Sequence, residues 1–536
     1  MSRNKAKMIT SPQQRFKPSP WATRYVVQYK TYSWPCLLIC LIMVGVGLIT
    51  PAVAEPLRLE MVVRQGLKRQ SSIKAKKFEL QGAQAGVRAA QNLFALQLNG
   101  TLDLSDDLVT IPNPLEMGRR TGIETQRYGA ELGLSQALKW GTVLGFGIRQ
   151  NQIQTTNPFR NCVPGIISEQ CYESTLSLRL NQALLRGRSA QANTSELTSA
   201  RQELRLKQLQ IHLESKREIQ TIASLYLQVS LAEAQLTLEK EQLALLEKQI
   251  KDAKERVKLG VLAPSEIFSL TANEAQKKQS LARARGQANE ARQLLSQKVA
   301  QDIQEVAYPT DWFNQARISE ALAYPIKRSW TESIESKVLK LMTAQLKSRL
   351  LPLEDAQRAK LDLGLVWSQS GLGEALSDAL KALPDNESRF YGISLSYTQT
   401  LSGRAEAQSA QLKAQIQAQQ ASELKLHEDL QQRWSKLRQQ LKLKQELLEL
   451  SNEAVIAMQK SAQASEERFK AGRSTLFEVL DQQNRTFATQ TQGVAIKHEI
   501  AQTLIEIWAL NDELLQRFGL EIQVGKPVGK QVGRNE

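Results

Sequence analysis

The sequence predicts an α+β membrane protein with two internal structural repeats, in which short amphipathic strands precede long coiled-coil helices. The first observation is a pair of related helix breaks, E-R-V-K-L-G-V-L-A-P-S-E at 255–266 and E-R-F-K-A-G-R-S-T-L-F-E-V-L-D at 467–481. Each break separates two long helical runs, because glycine ends helices and Ser or Thr begins them. The second observation is that apolar and polar residues alternate with period two in six short segments, which is typical of strands.

The lengths of the helical runs provide a third observation. Gly187 and Gly260 are 73 residues apart, and Gly403 and Gly472 are 69 residues apart. At about 1.5 Å per residue, each run spans roughly 100 Å. Two independent runs of nearly the same length are expected to lie side by side between two fixed levels.

The composition favours long helices over compact domains. Aromatic residues make up 6% of the 536 residues, whereas Gln, Leu, Ala, Lys and Glu are abundant. The formal net charge of +16 could indicate an anionic partner. However, residues 1–54 hold seven Lys or Arg and no acid, which leaves +9 for the rest, where basic and acidic residues are interspersed along helices. We therefore expect solvated helix faces and no nucleic-acid partner.

Residues 1–54 have the three-part pattern of a signal peptide. A basic segment extends to Lys30, an apolar core of 14 residues runs over 36–49, and Ala52-Val53-Ala54 is an A-x-A cleavage signature. This core is shorter than the about 20 residues of a membrane span. The basic segment is unusually long, so an uncleaved anchor is the alternative. Ile39 stands before Cys40 where a lipoprotein signal has a small residue, so no lipid anchor is expected.

Two cysteines, Cys162 and Cys171, remain after the signal peptide, and they flank the turn signal Val163-Pro164-Gly165. An exported chain enters an oxidising compartment, so we predict a disulfide that closes this loop. A zinc site is a weaker alternative, because the three histidines all lie in helical runs: His212, His427 and His498. Two free thiols are the other alternative.

The first repeat is predicted over residues 55–301. A helix over about 57–94 precedes barrel strands between about 95 and 181, and the segment 106–125 is expected to be a loop. The phrase L-S-Q-A-L-K-W-G at 134–141 is echoed by L-N-Q-A-L-L-R-G at 180–187, which predicts two hairpins that finish at the same level. The strands' apolar positions are Leu96, Leu98, Leu102 and Leu104; Tyr128, Ala130, Leu132 and Leu134; Leu144, Phe146 and Ile148; Leu176, Leu178 and Leu180.

A coiled-coil seam then extends from Leu225 to Val257 and reaches the first tip at 260–266. A return helix follows over about 265–300. Residues 302–328 are expected to be an irregular connector, because they contain Pro309 and Pro325.

The second repeat is predicted over residues 329–520. A helix over about 331–358 precedes two barrel strands within about 360–400, which are separated by a loop over 371–387. Their apolar positions are Leu361, Leu363, Leu365 and Trp367; Tyr391, Ile393, Leu395 and Tyr397. A second helical hairpin follows, with its tip at 472–478. Residues 521–536 are polar and rich in Gly and Lys, which predicts a disordered tail.

The apolar faces of these strands must be shielded from water by another apolar surface. Every long helix has its own seam, so none is free to pack on a sheet. Strands of about ten residues with one apolar and one polar face suit a transmembrane barrel, and Tyr128, Trp367, Tyr391 and Tyr397 suit its interfaces. Six strands cannot close a wide barrel, so several protomers must pool them. A small β-sandwich on a helical stalk is the alternative.

This order of signal, helix, strands and helical hairpin, repeated twice, resembles the TolC-like outer-membrane efflux channels. The resemblance covers residues 56–520 and rests most specifically on the two tip motifs, with support from 180–187 and 398–404. It implies a homotrimer whose strands form one outer-membrane β-barrel, continued by a long α-helical periplasmic tunnel. The usual family member contributes four strands per protomer. Six strands here imply an 18-stranded trimer, or else a hairpin at 128–150 that embellishes the usual barrel.

The resemblance also assigns roles to tip residues. Two acids of the second return helix, here Glu478 and Asp481, line the narrowest point of the tunnel. Their spacing of three residues places both on one helix face. A trimer would present six carboxylates, which attract cations and repel anions. The alternative is that both acids merely occupy a helix start, where the helix dipole favours negative charge.

The closed state of the family is held by contacts between neighbouring tips, around turns that correspond to Gly260 and Gly472. The resemblance places a polar and acidic pair at Ser265 and Glu266, and it makes Arg473 the basic partner. The family's gating arginine sits one position later, where this chain has Ser474. In some members a tyrosine stands at the position of Phe469, which lacks the hydroxyl group. The helix-start alternative applies to Glu266 as well.

No nucleophile–base constellation, phosphate loop or metal-ligand spacing occurs, and Gly145-Phe146-Gly147 is strand punctuation rather than a nucleotide fingerprint. We expect no enzymatic activity and no cofactor. The resemblance implies the exit duct of a tripartite efflux or type I secretion system in the cell outer membrane, in contact with outer-membrane lipid. A periplasmic adaptor (membrane fusion) protein would open it, and an inner-membrane pump of the RND or ABC type would supply energy. The rival hypothesis is a non-conducting, signal-anchored coiled-coil scaffold of the cell envelope.

Overall fold

The structure is a computed structural model, and the residues that it describes are 57–112, 120–156, 161–163, 166–167, 170–307, 315–323, 330–385, 388–401 and 403–520. All of them belong to one unit, Pro56–Glu536. The predicted signal peptide, the predicted tail and parts of the connector lie outside the described residues. Among the helices of the described ranges, none is both long and apolar enough to cross a membrane.

Most strands of the protein form one antiparallel sheet. The strands are β1 (Gln97–Pro112), β2 (Arg120–Ala137), β3 (Thr142–Thr155), β4 (Asn161–Val163), β5 (Ile166–Ile167), β6 (Gln170–Ala183), β7 (Lys360–Gly373) and β8 (Ser388–Thr398). The large sheet has the order β1-β2-β3-β6-β7-β8, while β4 and β5 pair only with each other. All six predicted strands are therefore confirmed, with four in the first half of the chain and two in the second.

The predicted loop over 106–125 was mostly wrong. β1 continues to Pro112 and β2 begins at Arg120, and the ladder between them is unbroken from Gln97↔Ser135 to Pro112↔Arg120. Strand formation here is favoured by β-branched residues such as Val109 and Thr110. These residues and the ladder hydrogen bonds outweigh the local Pro and Gly signals.

The two faces of the sheet differ in polarity. The register aligns one side chain from each of the six strands in a single apolar row: Leu98, Leu134, Phe146, Leu178, Trp367 and Tyr391. At its two ends, Leu98 is 74% exposed and Tyr391 is 69% exposed. The row on the opposite face, one residue along, contains Asn99, Gly133, Gly147 and Ser177. One face thus displays a continuous apolar surface, and the other is polar.

The helices surround none of that apolar row. They are α1 (Leu59–Arg69), α2 (Ser71–Asn92), α3 (Ala190–Asn193), α4 (Ser195–Lys258), α5 (Ser265–Val299), α6 (Gln315–Ala323), α7 (Ile334–Ala356), α8 (Leu376–Lys381), α9 (Arg404–Lys470), α10 (Leu476–Leu510) and α11 (Leu514–Arg517). Among the described helices, the short α8 and the 3-10 turn Leu383–Asp385 that follows it pack on the sheet, over Gly371 and Gly373. The predicted opening helix is divided at Gln70, whose backbone is extended, and the connector, expected to be irregular, contains α6.

The two long hairpins have matching dimensions. α4 has 64 residues and α9 has 67, so each spans roughly 100 Å. Both return helices, α5 and α10, have 35 residues. The domain boundaries and the internal repeat remain predictions.

The turn between β2 and β3 is hydrogen-bonded to the end of β6, which is in turn bonded to the start of β7. The amide of Ala183 donates to the carbonyl of Gly141 at 3.1 Å, and the amide of Leu184 donates to the carbonyl of Leu361 at 2.8 Å. The turn between β2 and β3 therefore lies beside the end of β6, as the echoed phrases predict.

The main hydrophobic core lies midway along α4, where α1, α5, α6, α9 and α10 meet it. The Tyr226 hydroxyl donates to the carbonyls of Leu57 and Ala307 across this core. Nearby, the buried Lys216 ammonium contacts Glu335 at 2.7 Å and Asp512 at 2.9 Å. These contacts fix α4, α7 and the end of α10 to one another, far from both the sheet and the hairpin tips.

Candidate functional site at the hairpin tips

The second tip is a tight turn that leads directly into α10. α9 ends at Lys470, and Gly472 adopts a φ of +72°, which L-residues rarely adopt. Thr475 is the N-cap of α10, and its hydroxyl accepts a hydrogen bond from the Glu478 amide at 3.3 Å. The spacing of Thr475 and Glu478 is that of a capping box.

Glu478 has two roles at this helix start. Its carboxylate accepts a hydrogen bond from the Ser474 hydroxyl at 2.6 Å, and it lies in the first turn of α10, where the helix dipole favours a negative charge. The side chain remains exposed. The helix-start interpretation therefore holds locally, while the exposed carboxylate remains available to face a tunnel.

Asp481, one turn further along α10, has a cation beside it on the same helix. The Arg485 Nε lies 2.9 Å from the Asp481 Oδ2, and both side chains are partly exposed. Sequence reasoning missed Arg485, although the spacing of four residues is a known helical ion-pair signal. The tip surface formed by Glu478, Asp481 and Arg485 therefore carries one net negative charge per chain instead of two.

The opposite face of α10 packs against α4 through polar contacts. The Gln242 amide donates to Asn484 at 2.8 Å, and the Gln249 amide donates to Gln483 at 2.8 Å. These contacts turn Gln483 and Asn484 toward α4, and the Glu478 side chain on another face of α10 stays exposed.

The first tip has a similar turn but a different helix start. Gly260 has a φ of +73°, and α5 begins at Ser265 after Pro264, which makes no side-chain capping bond. Within the described ranges, the side chains of Ser265 and Glu266 have no hydrogen-bond or ion partner, and neither does the side chain of Arg473. The structure places these residues at the two tips, and in the described ranges no hydrogen bond or ion pair joins the Arg473 side chain to Ser265 or Glu266.

Phe469 does have an identified partner. The Arg256 guanidinium lies 4.9 Å from the centre of its ring, which is cation–π geometry. Phe469 also packs on a tip cluster to which both hairpins contribute: Leu246, Ile250, Ala253, Leu270 and Leu476. Arg256 and Phe469 are far apart in sequence, so nothing local indicates their contact. The two hairpin ends are thus joined within a single chain.

The remaining candidate sites are simpler. Cys171 is buried and disulfide-bonded, whereas the side chain of Cys162 lies outside the described residues, so their pairing stays a prediction. No group of three or more His, Cys, Asp or Glu side chains in the described ranges could hold a metal ion.

Comparisons with known proteins identify the fold. No protein-family model matches the chain, and no curated protein matches its sequence. Crystal structures of CusC, described in terms of transmembrane channel formation, share 14% identity with a TM-score of 0.58 and cover 84% of this chain and 91% of theirs. The Campylobacter jejuni CmeC outer membrane channel shares 12% identity, with a TM-score of 0.56 and coverage of 87% of each chain.

The Neisseria gonorrhoeae MtrE outer membrane channel, solved in its open state, is also similar. It shares 16% identity with a TM-score of 0.53, over 85% of this chain and 89% of that one. At such identities the likeness concerns the fold. The chain therefore has the α+β fold of outer-membrane channels such as the TolC-like proteins, as expected, whereas the trimer, the closed barrel and the internal repeat remain predictions.

Proposed function

We propose that the protein is the outer-membrane exit duct of a tripartite efflux or type I secretion system. It is a passive conduit without enzymatic activity. Its sheet lies in the cell outer membrane, and its helices extend into the periplasm. A periplasmic adaptor opens the tips, and an inner-membrane pump of the RND or ABC type drives the transport.

The single observation that carries this proposal is the exposed apolar face of a sheet with two open edges. Apolar surfaces of this extent on one chain mark a contact with lipid or with another protein. Within the described residues, β1 and β8 each pair with only one neighbouring strand. Unpaired strand edges cannot remain in lipid, because each free N–H and C=O group there costs several kcal/mol.

Pairing between copies removes both open edges. In the proposed homotrimer, β8 of one protomer pairs with β1 of the next, and six strands per chain give a closed 18-stranded barrel. The apolar row then faces lipid and the polar face lines the lumen. The long helices continue below as a tunnel, where further exposed side chains of α9, such as Leu424 and Leu450, pack between protomers.

The proposed gate lies at the tips. Glu478 and Asp481 line the narrowest point, and Arg485 offsets part of their charge. Ser265 and Glu266 of one protomer meet the exposed Arg473 of its neighbour in the closed state. This arrangement is supported by the lack of a partner for the Glu266 and Arg473 side chains among the residues that the structure describes. The exposed apolar tip residues Leu259 and Phe268 provide a contact surface for the adaptor.

The orientation of the sheet is tested by two adjacent substitutions in β8, Ile393→Lys and Ser394→Lys. Ile393 lies on the apolar face and is 81% exposed in the single chain, whereas Ser394 lies on the polar face. A lysine near the bilayer midplane costs about 2–4 kcal/mol. We expect Ile393→Lys to deplete the outer-membrane trimer that migrates intact on an unheated gel, and Ser394→Lys to leave it unchanged.

The wild type should conduct ions in planar bilayers. A soluble or inner-membrane rod that tolerates both lysines equally and carries no current would instead establish the non-conducting scaffold.

A further inference from the structure

The polar face of the sheet holds a charge cluster that neither the tips nor the apolar face explains. It takes one residue from each of four strands: Asp103, Glu131, Arg149 and Arg179. The Glu131 Oε2 accepts a hydrogen bond from the Arg149 Nε at 3.0 Å, and the Arg149 Nη2 lies 2.8 Å from the same oxygen in an ion pair. Arg149 also lies 3.8 Å from Asp103. The Glu131 carboxylate, only 18% exposed, is thus neutralised by Arg149.

Glycines in β2 and β3 leave open space beside this cluster on the polar face of the sheet. Gly133 and Gly147 pair directly across β2 and β3. A Cβ added to Gly147 would lie 3.3 Å from the Glu131 Oε1 and 3.1 Å from the Ser177 hydroxyl. The absence of side chains here leaves a hollow of about 250 Å³, bordered by Asn99, Thr101, Ser135 and Ser177.

Arg179 stands at the border of the hollow with its charge largely unused. Its side chain is 57% exposed, and its one carboxylate contact is 3.8 Å from the Glu131 Oε1, which is too long for a hydrogen bond. In the part of the chain that the structure describes, its guanidinium makes no hydrogen bond. A guanidinium has five N–H donors in a planar fork that matches a carboxylate. Arg149 is shared between Glu131 and Asp103, so the four side chains together carry no net charge, and Arg179 contributes the guanidinium donors that remain unbonded beside the hollow.

We propose that Arg179 and this glycine-floored hollow form a binding subsite for the carboxylate group of a small organic solute. The subsite rests on the proposed function, because it requires the polar face to line a lumen. The volume is slightly below the roughly 300–1,000 Å³ of ordinary ligand pockets, so it suits one small acid rather than a polymer. Three copies in a trimer place three such subsites around the exit pore.

Single-channel recordings on the assembled, full-length protein test this subsite. Benzoate is added to one chamber, and the concentration that halves the current is measured, with uncharged benzamide as the comparison solute. We expect benzoate to reduce the current at much lower concentration than benzamide. Arg179→Gln should weaken the benzoate effect roughly tenfold, the size expected from the loss of one charge-assisted hydrogen bond. Arg179→Lys, which retains the charge without the fork, should weaken it less.

Two further variants separate charge from shape. Lys360→Gln removes another cation from the polar face, with a similar exposure of 54%, and should leave the benzoate effect unchanged. Gly145→Ala keeps every charge but fills part of the hollow. Its Cβ would lie 3.6 Å from the Arg179 Cβ, which is an ordinary contact, so the variant should assemble normally and bind benzoate more weakly.

The outcomes distinguish the subsite from the channel. If the wild type carries no current, the proposed function fails and the subsite fails with it. If current flows and Arg179→Gln responds to benzoate as the wild type does, only the subsite is refuted. Equal effects of benzoate and benzamide on the wild type refute it as well.

Discussion

The two helical hairpins share their dimensions and their turn geometry, but the acidic side chains at their tips differ in their hydrogen-bond and ion-pair partners. Both turns have a glycine with φ near +72°, and both return helices have 35 residues. At the second tip, Glu478 is bonded to Ser474 and Asp481 to Arg485. At the first tip, Glu266 has no such partner among the described residues. The two acids of the second tip are bonded within the chain, whereas the first tip leaves a carboxylate for another chain.

The difference arises at the two helix starts. Thr475 supplies a hydroxyl that accepts a bond from the backbone of α10, while Pro264, at the same position before α5, has no side-chain acceptor. An N-cap threonine stabilises a helix by about 1 kcal/mol. The start of α5 is therefore the less constrained of the two, which suits an element that exchanges partners when a gate opens.

The largest expected effect concerns the hydrophobic cluster that the two tips share. Leu270 of the first hairpin and Leu476 of the second are both buried in the same tip cluster. Replacing either by alanine should destabilise the tips by about 2–5 kcal/mol, the range for buried leucines. Hydrogen exchange should show faster opening of both hairpin ends in either variant.

Phe477→Ala is the matched control, because Phe477 is adjacent to Leu476 but 76% exposed. It should leave exchange nearly unchanged. If hydrogen exchange accelerates only in the mutated hairpin, the two tips do not share a core, and the two turns are independent of each other.

A smaller effect is expected at the N-termini of α5 and α10, which differ in their capping. Thr475→Ala removes the cap of α10 and should accelerate exchange of the Glu478 amide by an amount equivalent to about 1 kcal/mol. Ser265→Ala, at the corresponding start of α5, removes no capping bond and should remain within about 0.5 kcal/mol of the wild type. Equal effects of the two substitutions would eliminate the proposed difference.

The elements of this fold were predictable because their signals are local. Period-two alternation located all six strands of the sheet, and heptads with Gly260 and Gly472 located the hairpins. The boundaries of β1 and β2 could not be predicted from local signals. Pro and Gly within 106–125 signal a loop, whereas the hydrogen bonds that extend β1 and β2 form between these two strands.

The candidate site was predictable only in part, for the same reason. Glu478 and Asp481 lie on one helix face as expected, and Arg485 could have been found from its spacing of four residues from Asp481. The Arg256–Phe469 contact could not have been found from the sequence, because it joins two hairpins that only the fold brings together. The contacts proposed for Ser265, Glu266 and Arg473 with a neighbouring chain depend on assembly, which no single-chain periodicity encodes.

The smallest expected effect concerns the charge at the second tip. If Arg485 offsets Asp481, then Arg485→Gln should increase the preference of the channel for K⁺ over Cl⁻ in single-channel recordings. An exposed ion pair of this kind contributes about 0.5 kcal/mol, so we expect roughly a two- to threefold change in the permeability ratio. Asp481→Asn should shift the ratio by a similar factor in the opposite direction, and the double variant should lie near the wild type.

Lys470→Gln provides the matched control for this prediction. Lys470 pairs with Glu466 at 2.8 Å with the same spacing of four residues, but on α9 rather than α10. If only residues of α10 face the constriction, removing Lys470 should leave selectivity unchanged. An equal shift from Lys470→Gln would mean that the channel senses the total charge of the tip. Unchanged selectivity in Asp481→Asn would place the narrowest point elsewhere, and the Asp481–Arg485 ion pair would then have a structural role only.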